Sequence, residues 1–127
     1  MNWLILFMFS LMPHLAVAAD FDYTIDIATI NESAPMELDF GNILYGDHFI
    51  KNVQLKNSGA KPIERLKLDI YGFEYFLEHE CPNLLPPNAS CAVQVLFWPE
   101  MPGLHRGFLI IETSGLNVNI PMKTLVL

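Results

Sequence analysis

The sequence contains two cysteines, and they bracket a short proline-rich loop. Cys81 and Cys91 are separated by Pro-Asn-Leu-Leu-Pro-Pro-Asn-Ala-Ser, and Cys91 opens a stretch of alternating residues that ends at Pro99. One alternating set is Cys91, Val93, Val95 and Phe97, and the other is Ala92, Gln94, Leu96 and Trp98. A period of two is typical of a β-strand, because successive side chains of a strand point to opposite faces. The sequence therefore predicts a strand that follows a constrained loop.

The same period recurs along most of the chain. It predicts strands at residues 21–27, 36–40, 48–57, 63–70, 106–113 and 116–120, with turn residues about every ten positions. The segment from Phe73 to Phe76 is aromatic but too short to assign. No stretch after residue 19 has a helical period, and no internal repeat or second domain is visible. These features predict an all-β protein that folds as an antiparallel β-sandwich of about seven to eight strands.

The N-terminus has the pattern of a secretory signal. An apolar run from Trp3 to Met12 is followed by Pro13-His14 and then by the small residues Ala16, Val17 and Ala18. We therefore predict a signal peptide at residues 1–19, cleaved after Ala18 or Ala19, and a single domain at residues 20–127. The alternative is an uncleaved anchor, but the run is shorter than the ~20 apolar residues that span a bilayer.

Export bears on the chemistry of the two cysteines. An even number of cysteines behind an export signal predicts a disulfide formed in an oxidising compartment, the periplasm or the outside of the cell. The alternative is a redox-active or nucleophilic cysteine. Cys81 and Cys91 lack the Cys-x-x-Cys spacing and a fixed basic neighbour, which such a cysteine needs.

The charge of the chain narrows the classes of partner. The sequence has seven Lys and Arg residues and 14 Asp and Glu residues, and its formal net charge is −7. All of these charged residues follow Ala19, and the basic ones are scattered. Nucleic acids and anionic membrane surfaces attract basic patches. We therefore predict no nucleic-acid partner. We also predict no membrane span after the signal.

An ordered series of motifs resembles a known family. The motifs are Leu38-Asp-Phe-Gly41, Tyr45-Gly46, Val53-Gln-Leu-Lys-Asn-Ser-Gly59, Pro62-Ile63, Ile70-x-Gly72 with Phe76, Cys81, Leu85-Pro86, Ser90-Cys91-x-Val-x-Val-x-Phe-x-Pro99 and Gly103-x-x-x-Gly107-x-Leu-x-Ile-x-Thr113. Together they resemble the ASH-type (abnormal-spindle and hydin) immunoglobulin-like domain. The bacterial form of that domain is called choice-of-anchor D, and the fold is related to major sperm protein and to pilus-chaperone sandwiches.

The resemblance covers Met36 to Leu127 and carries two expectations. It implies an immunoglobulin-like sandwich in which Cys81 and Cys91 correspond to the cysteine pair frequent in the family. It also implies an interaction or spacer module without catalytic residues, so there are no catalytic positions to transfer to this sequence.

Two kinds of chemistry compete with that expectation. Glu78-His-Glu-Cys81, with His48, His105, Met36, Met101 and Met122, offers ligands for copper or zinc, but a disulfide would remove Cys81 from the set. An enzyme is disfavoured because the sequence has no Gly-x-Ser-x-Gly, phosphate-binding loop or His-Glu-x-x-His motif. We therefore predict no cofactor, no metal site and no catalytic activity.

The sequence suggests two places for a partner. The first is the tip of the cysteine loop, Leu84, Leu85, Pro86 and Pro87, where an apolar loop on a rigid sandwich is suited to binding. The alternative is that one leucine packs under the sandwich and the prolines only stiffen the loop. The second place is a sheet edge, to which an extended peptide can add as a strand.

The function predicted from these observations is that of an exported, non-catalytic module that binds a protein. An alternative is a structural or assembly component of the cell envelope or of a surface appendage, which joins its neighbours by strand addition. The apolar tail from Thr124 to Leu127 is the candidate donor for such self-association, unless it forms the last strand of its own sheet. A periplasmic copper or zinc carrier is the third hypothesis.

Overall fold

The computed structural model describes residues 20–127, and eight strands account for just over half of these residues. They are β1 (Tyr23–Asp26), β2 (Leu38–Ile43), β3 (Phe49–Lys56), β4 (Lys67–Tyr71), β5 (Tyr75–His79), β6 (Ser90–Phe97), β7 (Gly103–Glu112) and β8 (Asn117–Val126). A short 3-10 helix, Ile27–Thr29, follows β1. The predicted signal peptide at residues 1–19 lies outside the described residues. Among residues 20–127, no helix is long and apolar enough to cross a membrane.

The strands form two four-stranded sheets that pack face to face. Sheet A has the order β1-β3-β6-β5, and sheet B has the order β2-β8-β7-β4. Most neighbours are antiparallel, but β1 runs parallel to β3 and β2 runs parallel to β8. The predicted all-β sandwich is confirmed, and its sheets are mixed. The parallel pairs arise because the chain leaves sheet A after β1, contributes β2 to sheet B and returns to sheet A as β3.

The core lies between the two inner faces, and the alternation in the sequence predicts its members. In β6, Val93, Val95 and Phe97 are completely buried, and they face the apolar residues of sheet B. Those residues include Leu38, Leu109, Ile111, Val118, Ile120 and Met122. Burial of so many branched and aromatic side chains is the main favourable contribution to folding.

Three elements differ most from the sequence prediction, and one of them is β8, which continues to Val126 instead of ending at residue 120. β5 is absent from that prediction, because Tyr75-Phe-Leu places three apolar residues in succession and so hides the period of two. β4 begins at Lys67 rather than at residue 63, because Arg65 has a positive φ of 59° and breaks the extended backbone. Ile63 instead forms an isolated bridge with Leu85 in the cysteine loop.

Asp26 ties the end of β1 to the turn after β3. Its carboxylate accepts hydrogen bonds from the backbone N–H of Ala28 (3.1 Å), the backbone N–H of Ser58 (3.2 Å) and the hydroxyl of Ser58. Burial raises the pKa of the Asp26 carboxyl. The hydrogen bonds from Ser58 and Ala28 and the charge of Lys56 lower this pKa by more than burial raises it, so the pKa lies below its ordinary value.

Because of this lowered pKa, the free energy of unfolding depends on pH. A carboxyl whose pKa is lower in the folded state stabilises the fold above its unfolded pKa, and the contribution is lost as the pH falls through the folded pKa. Asp26→Asn keeps the shape of the side chain and removes the charge. We expect the free energy of unfolding of Asp26→Asn, measured with urea, to be lower than wild type at about pH 7 and to fall less steeply below about pH 4. Parallel pH profiles for the two proteins would contradict this assignment.

Candidate partner-binding surface

The cysteine loop has the predicted disulfide, but only part of its tip is available to a partner. Cys81 and Cys91 are bonded, with 5.2 Å between their Cα atoms. Leu84 is exposed, Pro86 is exposed and Pro87 is half-buried. Leu85 is only 1% exposed, so its predicted role in partner contact is wrong for this structure. The alternative interpretation, that one leucine of the loop packs under the sandwich, is confirmed.

Main-chain hydrogen bonds hold Leu85 in this position. Its N–H donates to the carbonyl oxygen of Ile63 and its own carbonyl accepts from the N–H of Ile63, both at 2.9 Å. The side-chain amide of Asn57, itself buried, donates to the Leu85 carbonyl at 3.1 Å. The loop is therefore attached to the connection between β3 and β4, and Leu84 is its one large exposed aliphatic side chain, beside the exposed Pro86.

A larger apolar surface lies at the other end of sheet A, on the face turned away from the core. Cross-strand neighbours form rows on this outer face, read from β3 across β6 to β5. The rows are Asn52, Gln94 and Glu78, and then Ile50, Leu96 and Phe76. The first row is polar, and Gln94 donates to Asn52 at 3.3 Å. The second row is entirely apolar, so the character of the face changes within one step along the strands.

Two further aromatic side chains extend the apolar row. Trp98 follows β6 with the same orientation as Leu96, and Phe73 lies in the turn between β4 and β5. Phe73, Phe76 and Trp98 line an open cleft of about 540 Å³. We call the set Ile50, Phe73, Phe76, Leu96 and Trp98 the aromatic patch. Four of its members are large apolar side chains at least half exposed: Ile50 (50%), Phe73 (69%), Phe76 (56%) and Trp98 (59%).

The aromatic patch is not among the sequence predictions, although the sequence contains part of the pattern that indicates it. Trp98 and Leu96 belong to the alternating set that faces away from the core residues Val95 and Phe97. An apolar residue on the solvent side of a strand is informative when several such residues are neighbours. That neighbourhood depends on the pairing of β3, β6 and β5, which the sequence pattern does not specify.

A buried carboxylate fixes the two turns that carry the patch. Glu74 has a left-handed backbone conformation, with φ of 73°, and its side chain enters the protein beneath the cleft. Its Oε2 accepts from the N–H of Glu100 at 2.6 Å, and its carbonyl accepts from the N–H of Trp98 at 3.0 Å. The turn that contains Phe73 is therefore attached to the turn that follows Trp98.

His105 completes this attachment. Its Nε2 lies 2.9 Å from the carbonyl oxygen of Met101, so Nε2 carries a hydrogen, because a carbonyl only accepts. Its Nδ1 lies 3.5 Å from Oε1 of Glu74. The imidazole is therefore anchored to the turn from Pro99 to Gly103 through Nε2. Its contact with Glu74 is not a hydrogen bond, and Oε1 of Glu74 has no hydrogen-bond partner within residues 20–127. The ring of His48 stacks on Trp98 at 4.1 Å, which restricts the indole further.

Tyr75 lies on the inner side of the same region. Its hydroxyl donates to the carbonyl of His105 at 3.1 Å, and the hydroxyl of Thr124 lies 2.8 Å from it. Burial raises the pKa of Tyr75, and the hydrogen bond with Thr124 offsets part of that rise. Thr124 is completely buried. Within residues 20–127, neither hydroxyl forms a hydrogen bond with the imidazole of His105.

Acidic residues border the patch on β5 and at the turn after β6, whereas Lys51 follows its member Ile50 on β3. From Leu68 to His105 the sequence has no Lys or Arg, while Glu78, Glu80 and Glu100 lie at the surface. Glu78 adjoins the patch on β5, and Glu100 borders the cleft. The outer face of sheet B, in contrast, carries Lys67, Arg106 and Lys123. A cation that approaches the patch therefore meets negative charge in the described part of the protein.

The residues considered above as possible copper or zinc ligands are not brought together. Within residues 20–127, no group of three or more His, Cys, Asp or Glu side chains is arranged to hold a metal ion. Cys81 is in the disulfide, and Nδ1 of His79 accepts a hydrogen bond from the N–H of Cys81. Met122 is a core residue, whereas Met36 and Met101 are exposed and belong to different segments.

Comparisons with known proteins show the fold and nothing more specific. No family model matches the chain, and no curated protein sequence matches it. Among solved structures, it is similar to the secreted serine protease VesC from Vibrio cholerae, with 17% identity and a TM-score of 0.58, over 69% of this chain and 21% of that one.

Two other solved structures are similar at the same level. One is the VesB protease of Vibrio cholerae, with 12% identity and a TM-score of 0.55, over 72% of this chain and 30% of that one. The other is a family 123 glycoside hydrolase from Clostridium perfringens, with 10% identity and a TM-score of 0.56, over 71% of this chain and 23% of that one. In each case the similarity spans less than a third of the other protein, and it establishes a shared sandwich fold.

Proposed function

We propose that this protein is an exported, non-catalytic module that binds another protein through the aromatic patch. The observation that carries the proposal is the patch itself, with Phe73, Phe76 and Trp98 each more than half exposed around one cleft. Contiguous exposed apolar surface is costly in water and is characteristic of interaction sites. Trp is also among the residues most enriched at energetically dominant interface positions.

The rigidity of the patch supports the same proposal. A binding surface loses less entropy on association when its side chains are already fixed. Glu74 and His105 hold the two turns together, and the disulfide closes the loop at the other end of β5 and β6. The resemblance to ASH-type domains also favours an interaction module, and the disulfide is compatible with export.

The alternative of self-assembly through the C-terminal tail has less support. Residues 124–126 belong to β8, which pairs with β2 on one side and β7 on the other. Thr124 and Val126 are buried, so donating the tail to a neighbour would require sheet B to come apart. An assembly role would therefore need a sheet edge that accepts a strand, not this tail.

Substitutions in the patch test the proposed function. The protein is used to capture a partner from the envelope and secreted fractions of its host, and the dissociation constant of the purified partner is then measured. We expect Phe76→Ser and Trp98→Ser each to weaken binding at least about 30-fold, as truncation of dominant interface residues does. Both side chains are exposed, so the fold should persist, which a thermal melt checks.

Two control variants separate the patch from other surfaces. Leu104→Ser removes a half-exposed leucine from the outer face of sheet B, and Leu84→Ser removes the exposed leucine of the cysteine loop. Both should keep the wild-type affinity within about twofold, since isolated surface apolar residues contribute little. Loss of binding in Leu84→Ser with full binding in Phe76→Ser and Trp98→Ser would overturn the proposal and move the site to the loop.

A further inference from the structure

We infer that the partner contributes an extended segment that adds to the free edge of β5, with apolar and basic side chains on its outer face. This inference rests on the proposed function, because it names the chemistry of what the aromatic patch binds. It draws on three observations: the hydrogen-bonding groups at the edge, the condition of two other edges, and the charge beside Phe76.

The free edge of β5 offers main-chain donors and acceptors. Among the strands within residues 20–127, β5 pairs with β6 alone, so its other side is an edge of sheet A. The N–H of Trp98 donates to Glu74 and the N–H of Glu80 donates to Ala92, so even-numbered residues direct their main-chain groups toward β6. Main-chain groups alternate along an antiparallel strand. Leu77 and His79 therefore direct their N–H and C=O groups outward, where a further strand can pair with them.

Two other sheet edges are protected by aspartates. On β4, the carboxylate of Asp69 accepts from the N–H of Ile70 at 2.8 Å. On β2, the carboxylate of Asp39 accepts from the N–H of Gly41 at 2.9 Å, and the strand is irregular between Asp39 and Asn42. Such features prevent unwanted strand addition in natural sheets. In the described residues, no side chain accepts a hydrogen bond from the N–H of Leu77 or of His79, so the β5 edge lacks this protection.

The rows of the outer face indicate which side chains the added segment would carry. A strand beside β5 would place one residue next to Phe76, continuing the apolar row of Ile50 and Leu96. The next two residues of the segment on the same face, toward the C-terminal end of β5, would lie next to Glu78 and then next to Glu80. Opposite charges across neighbouring strands attract, and like charges repel. The segment that fits is apolar at the level of Phe76 and basic at the levels of Glu78 and Glu80.

A second copy of this chain does not fit the same edge. If two β5 strands pair antiparallel with Leu77 of one copy opposite His79 of the other, Glu78 lies directly beside Glu78, and each chain has a formal net charge of −7. Like charges opposite one another on paired strands are destabilising. The occupant is therefore a different, cationic polypeptide, and sedimentation velocity of the protein alone should show a monomer at all accessible concentrations.

The test uses a synthetic probe, the acetylated and amidated peptide Gly-Lys-Val-Lys-Val-Val-Thr-Gly. In antiparallel pairing its two lysines lie next to Glu80 and Glu78, and its last valine lies next to Phe76. We expect NMR hydrogen exchange to show new protection of the amides of Leu77 and His79 when the peptide is added. N-methylation of the two valines opposite these residues should weaken binding at least about tenfold, since each loses a hydrogen bond. N-methylation of the neighbouring lysine and valine, whose N–H groups point away from β5, is the matched control and should change binding less than threefold.

Charge variants of the protein complete the design. Glu78→Lys should weaken peptide binding at least about tenfold, because attraction becomes repulsion beside the segment, whereas Glu64→Lys, on an exposed loop, should keep the wild-type affinity. Failure of the peptide to bind, or equal binding of both N-methylated forms, would overturn the inference. If the natural partner still requires Phe76 and Trp98 in that case, the proposed function stands and the partner lies on the patch without adding a strand. If neither substitution affects the natural partner, the proposed function itself fails.

Discussion

Replacing Phe97 by alanine is expected to lower the free energy of unfolding by about 4 kcal/mol, the typical cost of removing a buried phenylalanine. Phe97 is completely buried at the centre of the sandwich. Its ring centroid lies 4.5 Å from that of Tyr75 and 5.2 Å from those of Phe49 and His105. Removing the ring leaves a cavity that rigid strands on both sides cannot fill, and it withdraws support from the His105 side of the turn that carries the patch.

Equilibrium unfolding in urea measures this effect, and Phe108→Ala is the matched control. Phe108 is the same residue type on β7, but it lies on the outer face of sheet B and is 40% exposed. Its replacement should cost less than about 1 kcal/mol, because little packing is lost at a surface position. Equal destabilisation by the two substitutions would contradict the assignment of Phe97 to the core.

Loss of the disulfide is expected to cost about 3 kcal/mol, the second largest effect. The bond closes a loop with a sequence separation of 10, and the chain-entropy model assigns a stabilisation of this size to such a loop. The stabilisation acts mainly on the unfolded chain, which becomes freer when the bond is absent. The double variant Cys81→Ser with Cys91→Ser should therefore remain folded but unfold at a lower urea concentration.

Reduction of the wild-type protein provides the control for the serine variant. The reduced wild-type protein and the double serine variant should have similar free energies of unfolding. The oxidised wild-type protein should have a higher free energy of unfolding than either. Because Leu85 still pairs with Ile63 and accepts a hydrogen bond from Asn57, the loop is expected to keep its position after reduction. A difference of less than about 1 kcal/mol between the oxidised and reduced proteins would show that these hydrogen bonds, and not the disulfide, determine the stability of this end of the sandwich.

The alternation of residues was sufficient to predict the sandwich and much of its core. It works for β6 because one face of the strand is completely buried, and Val93, Val95 and Phe97 therefore recur with a period of two. It fails for β5 because this edge strand has apolar residues on both faces, with Tyr75 in the core and Phe76 in solvent. A strand that presents an apolar outer face to a partner thereby loses the very pattern by which strands are recognised.

The candidate site was less predictable than the fold, because contacts between distant residues create it. Glu74 and His105 are far apart in the sequence, and neither is part of a motif. Their contact depends on how the turn before β5 packs against β7. There, a Cβ on Gly107 would overlap the carbonyl oxygen of Tyr71. The cysteine loop, in contrast, was predicted as a binding place because of its apolar composition, but its Leu85 is buried in the core.

We expect the aromatic patch, and not the cysteine loop, to contact the partner. Hydrogen–deuterium exchange of the protein with and without its captured partner distinguishes these two surfaces. Exchange should be slower in the complex at β5, in the turn that contains Phe73 and in the turn that follows Trp98, with no change in the loop from residue 82 to residue 89. Slower exchange confined to that loop, with β5 and both turns unchanged, would contradict this expectation.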